Sequence, residues 1–180
     1  MPRYAALLRG IAPSGPNMTN DKLGGVFEEL GFTRVASVLA SGNIVFDSEE
    51  SDVPELEHRI EGALTSTLGL TSRTIIRSHA ELRALVDSDP FPDLTHGPGT
   101  YLTATFLKYP YPDADLPQPP DPTTRIVRYD RPARVVLAVT DSTVPGQTPT
   151  FMTWLERTCG KDITTRSWLT VHRVVSKMQG

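Results

Sequence analysis

Two arginines and a Gly-Asn turn are the residues of this chain whose types suit the binding of an anion. Arg9 and Gly10 follow an apolar run, Ser41-Gly42-Asn43 separates two further apolar runs, and Arg166 precedes an amphipathic segment. A guanidinium forms paired hydrogen bonds with a carboxylate or phosphate, and free N–H groups at a helix start bind the same groups. We therefore expect a small anionic ligand near Arg9, Asn43 and Arg166. The alternative is that both arginines pair with internal acids or carbonyls.

A second pattern lies near the C-terminus, where basic residues recur at helical spacing. Steps of four, three and four residues separate Arg166, Thr170, Arg173 and Lys177. The opposite face of the same predicted helix is apolar and comprises Trp168, Val171, Val175 and Met178. This basic face, with Arg166, Arg173 and Lys177 as its cations, is either a solvated surface or a contact for the phosphates of RNA.

The residue types that perform catalysis or bind metals do not occur in workable patterns. The four histidines are scattered outside any His-Glu-x-x-His motif, and they are His58, His79, His96 and His172. Ser41 lacks the Gly-x-Ser-x-Gly frame of a nucleophile, and Cys159 falls on an apolar helical stripe. Residues 9–15 match neither a dinucleotide-binding nor a phosphate-loop motif. We expect no metal and no cofactor, and an enzyme of unknown reaction class is the less favoured alternative.

Composition limits the classes of protein to which the chain can belong. It has 180 residues, 38% of them hydrophobic, a single cysteine and a net charge of −3. One cysteine cannot form an internal disulfide, and the charge argues against a protein that is basic all over. The N-terminus lacks the pattern of a signal peptide, and no apolar stretch approaches the roughly 18 residues of a membrane span. We expect a cytoplasmic protein without a membrane partner, and nothing in the sequence indicates its oligomeric state.

The first half of the chain has the element order of a split βαβ fold. Apolar runs at residues 4–9, 33–39 and 44–46 predict strands, and the first of them is followed by a helix with apolar positions from Leu23 to Leu30. Asp52 and Gly69 bound a second helix, and residues 73–77 predict a fourth strand. The order β-α-β-β-α-β is that of a ferredoxin-like subdomain over residues 1–78. It predicts that Arg9-Gly10 and the Ser41-Gly42-Asn43 turn lie at the same end of the sheet.

The second half, residues 79–180, predicts another α+β subdomain that forms one structural unit with the first. A capped helix begins at Ser78, residues 101–108, 124–129 and 134–139 predict strands, and the proline-rich residues 109–122 predict an exposed segment without regular structure. Two C-terminal helices are expected, the last of them capped by Thr164-Thr165. The fold class is therefore α+β, with largely antiparallel sheets and helices packed on them. The residues show no internal repeat.

Three segments, residues 6–11 (ALLRGI), 41–46 (SGNIVF) and 164–171 (TTRSWLTV), together resemble the family called domain of unknown function 1697. The resemblance spans nearly the whole chain and implies two ferredoxin-like subdomains. It implies no activity, since the family has none assigned.

The match to the family motifs identifies the positions at which a shared ligand-binding role would lie. These are Arg9, Gly10, Ser41, Gly42, Asn43, Arg166, Trp168 and Thr170. The chain departs from the family pattern at Ala12, where relatives carry asparagine, and at Ser167 and Leu169, where the Arg-Asn-Trp-Asn-Thr of relatives has two asparagines. If those amides contact a ligand in relatives, this chain binds a different ligand or none.

Overall fold

A computed structural model describes residues 1–12, 14–143 and 148–179 of the chain. The chain divides into two compact units, one formed by Met1–Leu82 with Arg173–Gly180 and the other by Arg83–His172. Within the described residues no helix combines the length and the apolar character needed to cross a bilayer.

The first unit contains the predicted split βαβ arrangement. Its elements in chain order are β1 (Arg3–Leu8), α1 (Asn20–Glu29), β2 (Thr33–Ser37), β3 (Asn43–Asp47), α2 (Val53–Leu68) and β4 (Thr74–Ser78). The sheet order is β2-β3-β1-β4, with antiparallel pairing throughout. The predicted hairpin between β2 and β3, with β3 beside β1, is confirmed.

Local sequence signals fix the ends of the helices in this unit. The Thr19 side chain accepts a hydrogen bond from the Lys22 N–H at the start of α1, and Asp52 does the same for Glu55 in α2. Gly69 ends α2 in a left-handed conformation (φ 67°) that costs glycine little. The core between these helices and the sheet is rich in aromatic rings, with Phe32 stacked on Phe46 at 4.6 Å between ring centroids.

The second unit has the same strand order as the first, but an irregular segment takes the place of the first helix. Its strands are β5 (Thr100–Leu107), β6 (Thr124–Asp130), β7 (Val135–Asp141) and β8 (Ile163–Ser167), in the order β6-β7-β5-β8. The helix α4 (Thr148–Cys159) precedes β8. Residues 108–123 connect β5 to β6 without regular structure, where the first unit has α1. The fold class, α+β with two ferredoxin-like sheets, is confirmed.

Each fourth strand leads directly into a helix, namely α3 (His79–Asp87) after β4 and α5 (Trp168–Gln179) after β8. The boundaries between the two units fall inside these helices. In α3 the predicted cap is present, since Glu81 N–H donates to Ser78 Oγ (3.1 Å) and Ser78 N–H donates to Glu81 Oε1 (2.9 Å).

Two expectations for the second half are wrong. Thr164 and Thr165 do not cap the last helix, because both lie in the strand β8. The sequence analysis did not predict this strand. Arg166 therefore belongs to a strand and not to the start of a helix. Pairing with β5 decides this, because β-branched residues accept a strand as readily as a cap. The proline-rich residues 109–122 lack regular structure as predicted, but they are not uniformly exposed, since Leu116, Pro119 and Asp121 are buried.

Candidate functional site

The end of β1 and the β2–β3 hairpin meet at one end of the first sheet, as predicted. Leu8 N–H donates to the Gly42 carbonyl (2.9 Å), and Arg9 N–H donates to the Arg73 carbonyl (2.9 Å). Ser72 Oγ–H donates to the Arg9 carbonyl (2.7 Å). The backbone at Arg9 is therefore part of the hydrogen-bonding of the sheet end.

Gly42 and Asn43 shape the hairpin from within. Gly42 has φ +82°, and a Cβ at this position would lie 2.9 Å from the Ile11 side chain, so only glycine fits. The Asn43 amide is fully buried and donates to the Val38 carbonyl (2.9 Å) and to Ser41 Oγ (3.0 Å). These two hydrogen bonds lie within the hairpin and close it, which is a structural use of Asn43.

Arg166 lies in β8 opposite Ala104 of β5. It is 9% exposed, and its guanidinium donates to Thr164 Oγ1 (2.6 Å) and to the Thr165 carbonyl (3.0 Å). Burial lowers the pKa of Arg166 to about 10, because desolvation disfavours the charged form. The proximity of Arg166 to Arg9 stays a prediction, because the two residues belong to different units.

The first unit contains a counterpart of Arg166 that sequence reasoning missed. Arg77 occupies the next-to-last position of β4 opposite Ala5, is 1% exposed, and is followed by the cap residue Ser78. Arg166 has the same position in β8 and is followed by Ser167, whose Oγ accepts a hydrogen bond from Thr170 N–H (3.2 Å). The two units therefore share an Arg-Ser pair at the end of the fourth strand, although the chain shows no longer repeat at the residue level.

Trp168 and Thr170 lie in the first turn of α5 and are both buried. The Trp168 ring packs edge-to-face against Phe91 (5.3 Å between centroids) and His172 (5.1 Å). Thr170 bonds to the cap residue Ser167 through its N–H and its hydroxyl. These contacts account for Trp168 and Thr170 as packing and capping residues.

Arg173 and Lys177 are exposed on α5 and line an open groove with the edge strand of the first sheet. We call this cavity of about 660 Å³ the basic groove, and its lining comprises Arg3, residues 34–39, Arg173, Ser176 and Lys177. All of these residues belong to the first unit. Of the predicted basic face, Arg173 and Lys177 remain on one helical surface, whereas Arg166 precedes the helix and Thr170 is buried.

Four cations line the basic groove, and the Asp47 carboxylate pairs with two of them. Arg3 Nη1 donates to Asp47 Oδ1 (2.9 Å) and Arg34 Nη1 donates to Asp47 Oδ2 (3.2 Å), while the Arg3 Nε–H donates to the Met178 carbonyl (3.0 Å) near the end of α5. Arg3 is nearly buried, but the Arg34 side chain is 54% exposed. Asp47 therefore offsets part of the positive charge of Arg3 and Arg34, whereas Arg173 and Lys177 add two further cations at exposed positions.

The backbone of the groove is unusual at two positions. Arg34 (φ 49°) and Leu39 (φ 60°) adopt the left-handed conformation that side-chain-bearing residues rarely adopt, and Leu39 is 43% exposed. Arg34 falls where the β2–β3 register shifts, between Thr33 and Ala36. Such conformations cost about 1–3 kcal/mol each and cluster at functional sites, which makes the basic groove the stronger candidate in this unit.

Residues 1–131 match the family described as "Protein of unknown function (DUF1697)". The chain belongs to that family. No curated protein matches the chain. The chain is also similar to a solved structure titled "The structure of conserved bacterial protein SP0830 from Streptococcus pneumoniae", at 18% identity and a TM-score of 0.73 over 98% of both chains. That likeness shows a shared fold.

Membership of DUF1697 assigns no chemistry, so the side chains of reactive type must be judged by their own surroundings. No group of histidine, cysteine and acidic residues in the described part of the chain could hold a metal ion. His96 Nδ1 accepts a hydrogen bond from Leu102 N–H (3.1 Å). Burial raises the pKa of Cys159 to about 11, which leaves less of the nucleophilic thiolate at neutral pH than an ordinary cysteine has.

Arg3 and Arg34 are the groove residues that the sequence did not indicate as site residues. Each stands at the start of a strand, far along the chain from Arg173 and Lys177. Their clustering depends on the packing of the C-terminal helix within the first unit, for which the sequence carries no local signal.

Proposed function

We propose that this protein is a binding protein rather than an enzyme and that it binds an anionic ligand in the basic groove. The observation that carries the proposal is the convergence of Arg34, Arg173 and Lys177 on one open cavity, in which no acidic side chain is among the described lining residues. A cavity of about 660 Å³ lies in the size range of ligand sites.

The expected strength of the charge contribution follows from exposure. Solvent screens these three cations, so each contact with an anionic group contributes about 0.2–1 kcal/mol. Together they contribute about 0.6–3 kcal/mol, which corresponds to roughly a 3- to 150-fold effect on affinity. The rest of the affinity must come from the groove backbone and its apolar side chains.

The site near Arg9, Asn43 and Arg166 has less support than the basic groove. The Asn43 amide bonds within its own hairpin, and Arg166 is buried in a strand.

RNA is the second candidate ligand for the basic groove, since Arg173 and Lys177 are two exposed cations one helical turn apart.

Direct titration tests the proposal. Fluorescein-labelled acidic peptide and single-stranded RNA are titrated by fluorescence polarisation, and inorganic pyrophosphate is titrated by calorimetry. The variant Arg173→Glu/Lys177→Glu should lose at least tenfold in affinity for whichever probe binds. The matched control Arg131→Glu/Arg157→Glu changes the net charge equally at exposed positions of the second unit and should bind within about twofold of wild type.

The outcome that contradicts the proposal is clear. If no probe binds, or if the control variant loses as much affinity as the groove variant, the basic groove is not an anion-binding site. If RNA binds with a steep salt dependence that the groove variant abolishes, RNA becomes the preferred ligand.

A further inference from the structure

We propose that the ligand of the basic groove is an extended acidic peptide that adds as a fifth strand to the open edge of β2. This inference rests on the proposed function and specifies its ligand. The groove places an edge strand beside a helix that carries two exposed cations, an arrangement that suits recognition of a peptide by strand addition.

The edge of β2 supplies backbone groups for such a strand. β2 pairs with β3 on one side and is the terminal strand of the sheet. Val38 N–H donates inward to the Asn43 carbonyl (2.9 Å). Because inward and outward groups alternate along an antiparallel strand, the N–H and C=O of the neighbouring Ser37 point to the open edge. An incoming strand would pair with these groups.

The charge around this edge selects the sequence of the peptide. Exposed edges are commonly guarded by bulges and charged side chains, and β2 has a register shift at Arg34 together with its guanidinium. The Arg34 guanidinium repels a basic strand, and a neutral strand at this edge would desolvate it without compensation. A strand that carries carboxylates would instead gain contacts with Arg34, Arg173 and Lys177, so the positive charge at this edge would favour an acidic partner.

The face of the sheet on which α5 lies determines the spacing of those carboxylates. The Tyr4, Ala6 and Leu8 side chains belong to the core with α1 and α2, so the alternation of β1 places Arg3 on the opposite face. Arg3 Nε–H donates to the Met178 carbonyl, which places the end of α5 on that opposite face. Side chains of an added strand would point to this face at every second residue.

The two spacings agree. Arg173 and Lys177 are four residues apart on α5, which is about 6 Å along a helix axis. Alternate residues of a strand are about 6.7 Å apart. Acidic residues at every second position therefore match both cations when the strand runs beside the helix.

A peptide fits the groove better than RNA does. The lining includes Val35, Ala36, Val38 and Leu39 but no aromatic side chain on which a base would stack. Small apolar side chains and an open strand edge are instead the surroundings that an extended peptide requires.

N-methylated peptides distinguish strand addition from simple charge attraction. The probe is a fluorescein-labelled eight-residue peptide that alternates Glu and Val. Two derivatives carry N-methyl groups either on every Glu or on every Val, and each blocks hydrogen bonding along one edge of the peptide only, because the N–H groups alternate in direction. One derivative should lose at least tenfold in affinity for the wild-type chain, and the other should stay within about threefold.

A charge exchange provides a second readout, which measures a gain of binding. Arg173→Glu/Lys177→Glu should bind a peptide that alternates Lys and Val at least tenfold more tightly than the wild-type chain does.

The variant Ser37→Pro tests the backbone of the β2 edge, because it removes the outward N–H. It should weaken binding of the Glu–Val peptide at least tenfold while the circular dichroism spectrum stays unchanged. If Ser37→Pro does not fold, the comparison of the two N-methylated peptides on the wild-type chain still tests strand addition.

The outcomes separate this inference from the proposed function. Equal binding of both N-methylated derivatives would overturn strand addition. Binding of RNA or pyrophosphate, but not of the peptide, with dependence on Arg173 and Lys177 would overturn the peptide while the anion site stands. If none of these probes binds the wild-type chain, both proposals are wrong.

Discussion

Replacing Asn43 tests whether this residue holds the β2–β3 hairpin or serves a ligand. The change Asn43→Ala removes the hydrogen bonds to the Val38 carbonyl (2.9 Å) and Ser41 Oγ (3.0 Å). Each bond contributes about 0.5–1.5 kcal/mol, and a buried carbonyl left without a donor costs about 1–3 kcal/mol. Because Asn43 is fully buried, we expect a total loss of about 3 kcal/mol.

Urea denaturation followed by circular dichroism measures this loss as a lower midpoint at constant slope. For a chain of this size, about 3 kcal/mol corresponds to a decrease of roughly 6–12 °C in melting temperature. Asn20→Ala is the matched control, because its amide donates to the Leu39 carbonyl of the same hairpin (2.9 Å) from an exposed position. It should cost about 1 kcal/mol or less.

The variant Asn43→Asp adds a pH dependence with a definite sign. The introduced carboxylate would face the Val38 carbonyl without a proton to donate, so its pKa in the folded state is raised above the ordinary value. The folded state then binds more protons than the unfolded state, and stability falls as pH rises above about 4. A loss below 1 kcal/mol for Asn43→Ala, or a stability of Asn43→Asp that rises with pH in this range, would refute the structural role.

Two further predictions concern a glycine and the cysteine. Gly42→Ala should lower the free energy of unfolding by several kcal/mol, since Gly42 has φ +82° and the added Cβ would lie 2.9 Å from the Ile11 side chain. Gly10→Ala is the control, because Gly10 has a similar φ of +79° but no atom within 4 Å of the added Cβ, and it should cost only about 1 kcal/mol. Denaturation midpoints that fall equally would contradict this. At pH 8, Cys159 should react with a disulfide reagent about 100-fold more slowly in the native chain than in urea, because its pKa of about 11 leaves little thiolate; equal rates would show that the thiol is not shielded.

Elements with strong local signals are correct from the sequence. The Asp52 cap, the apolar stripe of α2 and the left-handed Gly69 define that helix without reference to the rest of the chain. The split βαβ order of the first unit follows from such signals in succession. Helical and strand periodicities are properties of short segments, which is why these elements are readable before any packing is known.

The segment Ile163–Ser167 shows where local signals fail. Its Thr164-Thr165 pair suits a helix cap and a strand alike, and the pairing with β5, contributed by residues about 60 positions earlier, decides for the strand. For this reason Arg166 is not part of the predicted basic face of the helix. Strand pairing is a long-range interaction, so it overrides a local preference of about 1 kcal/mol.

The sequence by itself determined the family resemblance, the order of elements in the first unit and the meeting of Arg9 with the Ser41-Gly42-Asn43 hairpin. Tertiary structure alone decided that Arg3 and Arg34 share a groove with Arg173 and Lys177. The physical reason is that apolar spacing specifies which face of a helix is buried but not which surface covers it. The cations of the groove come together only because the end of α5 packs in the first unit, where Arg3 bonds to its last turn.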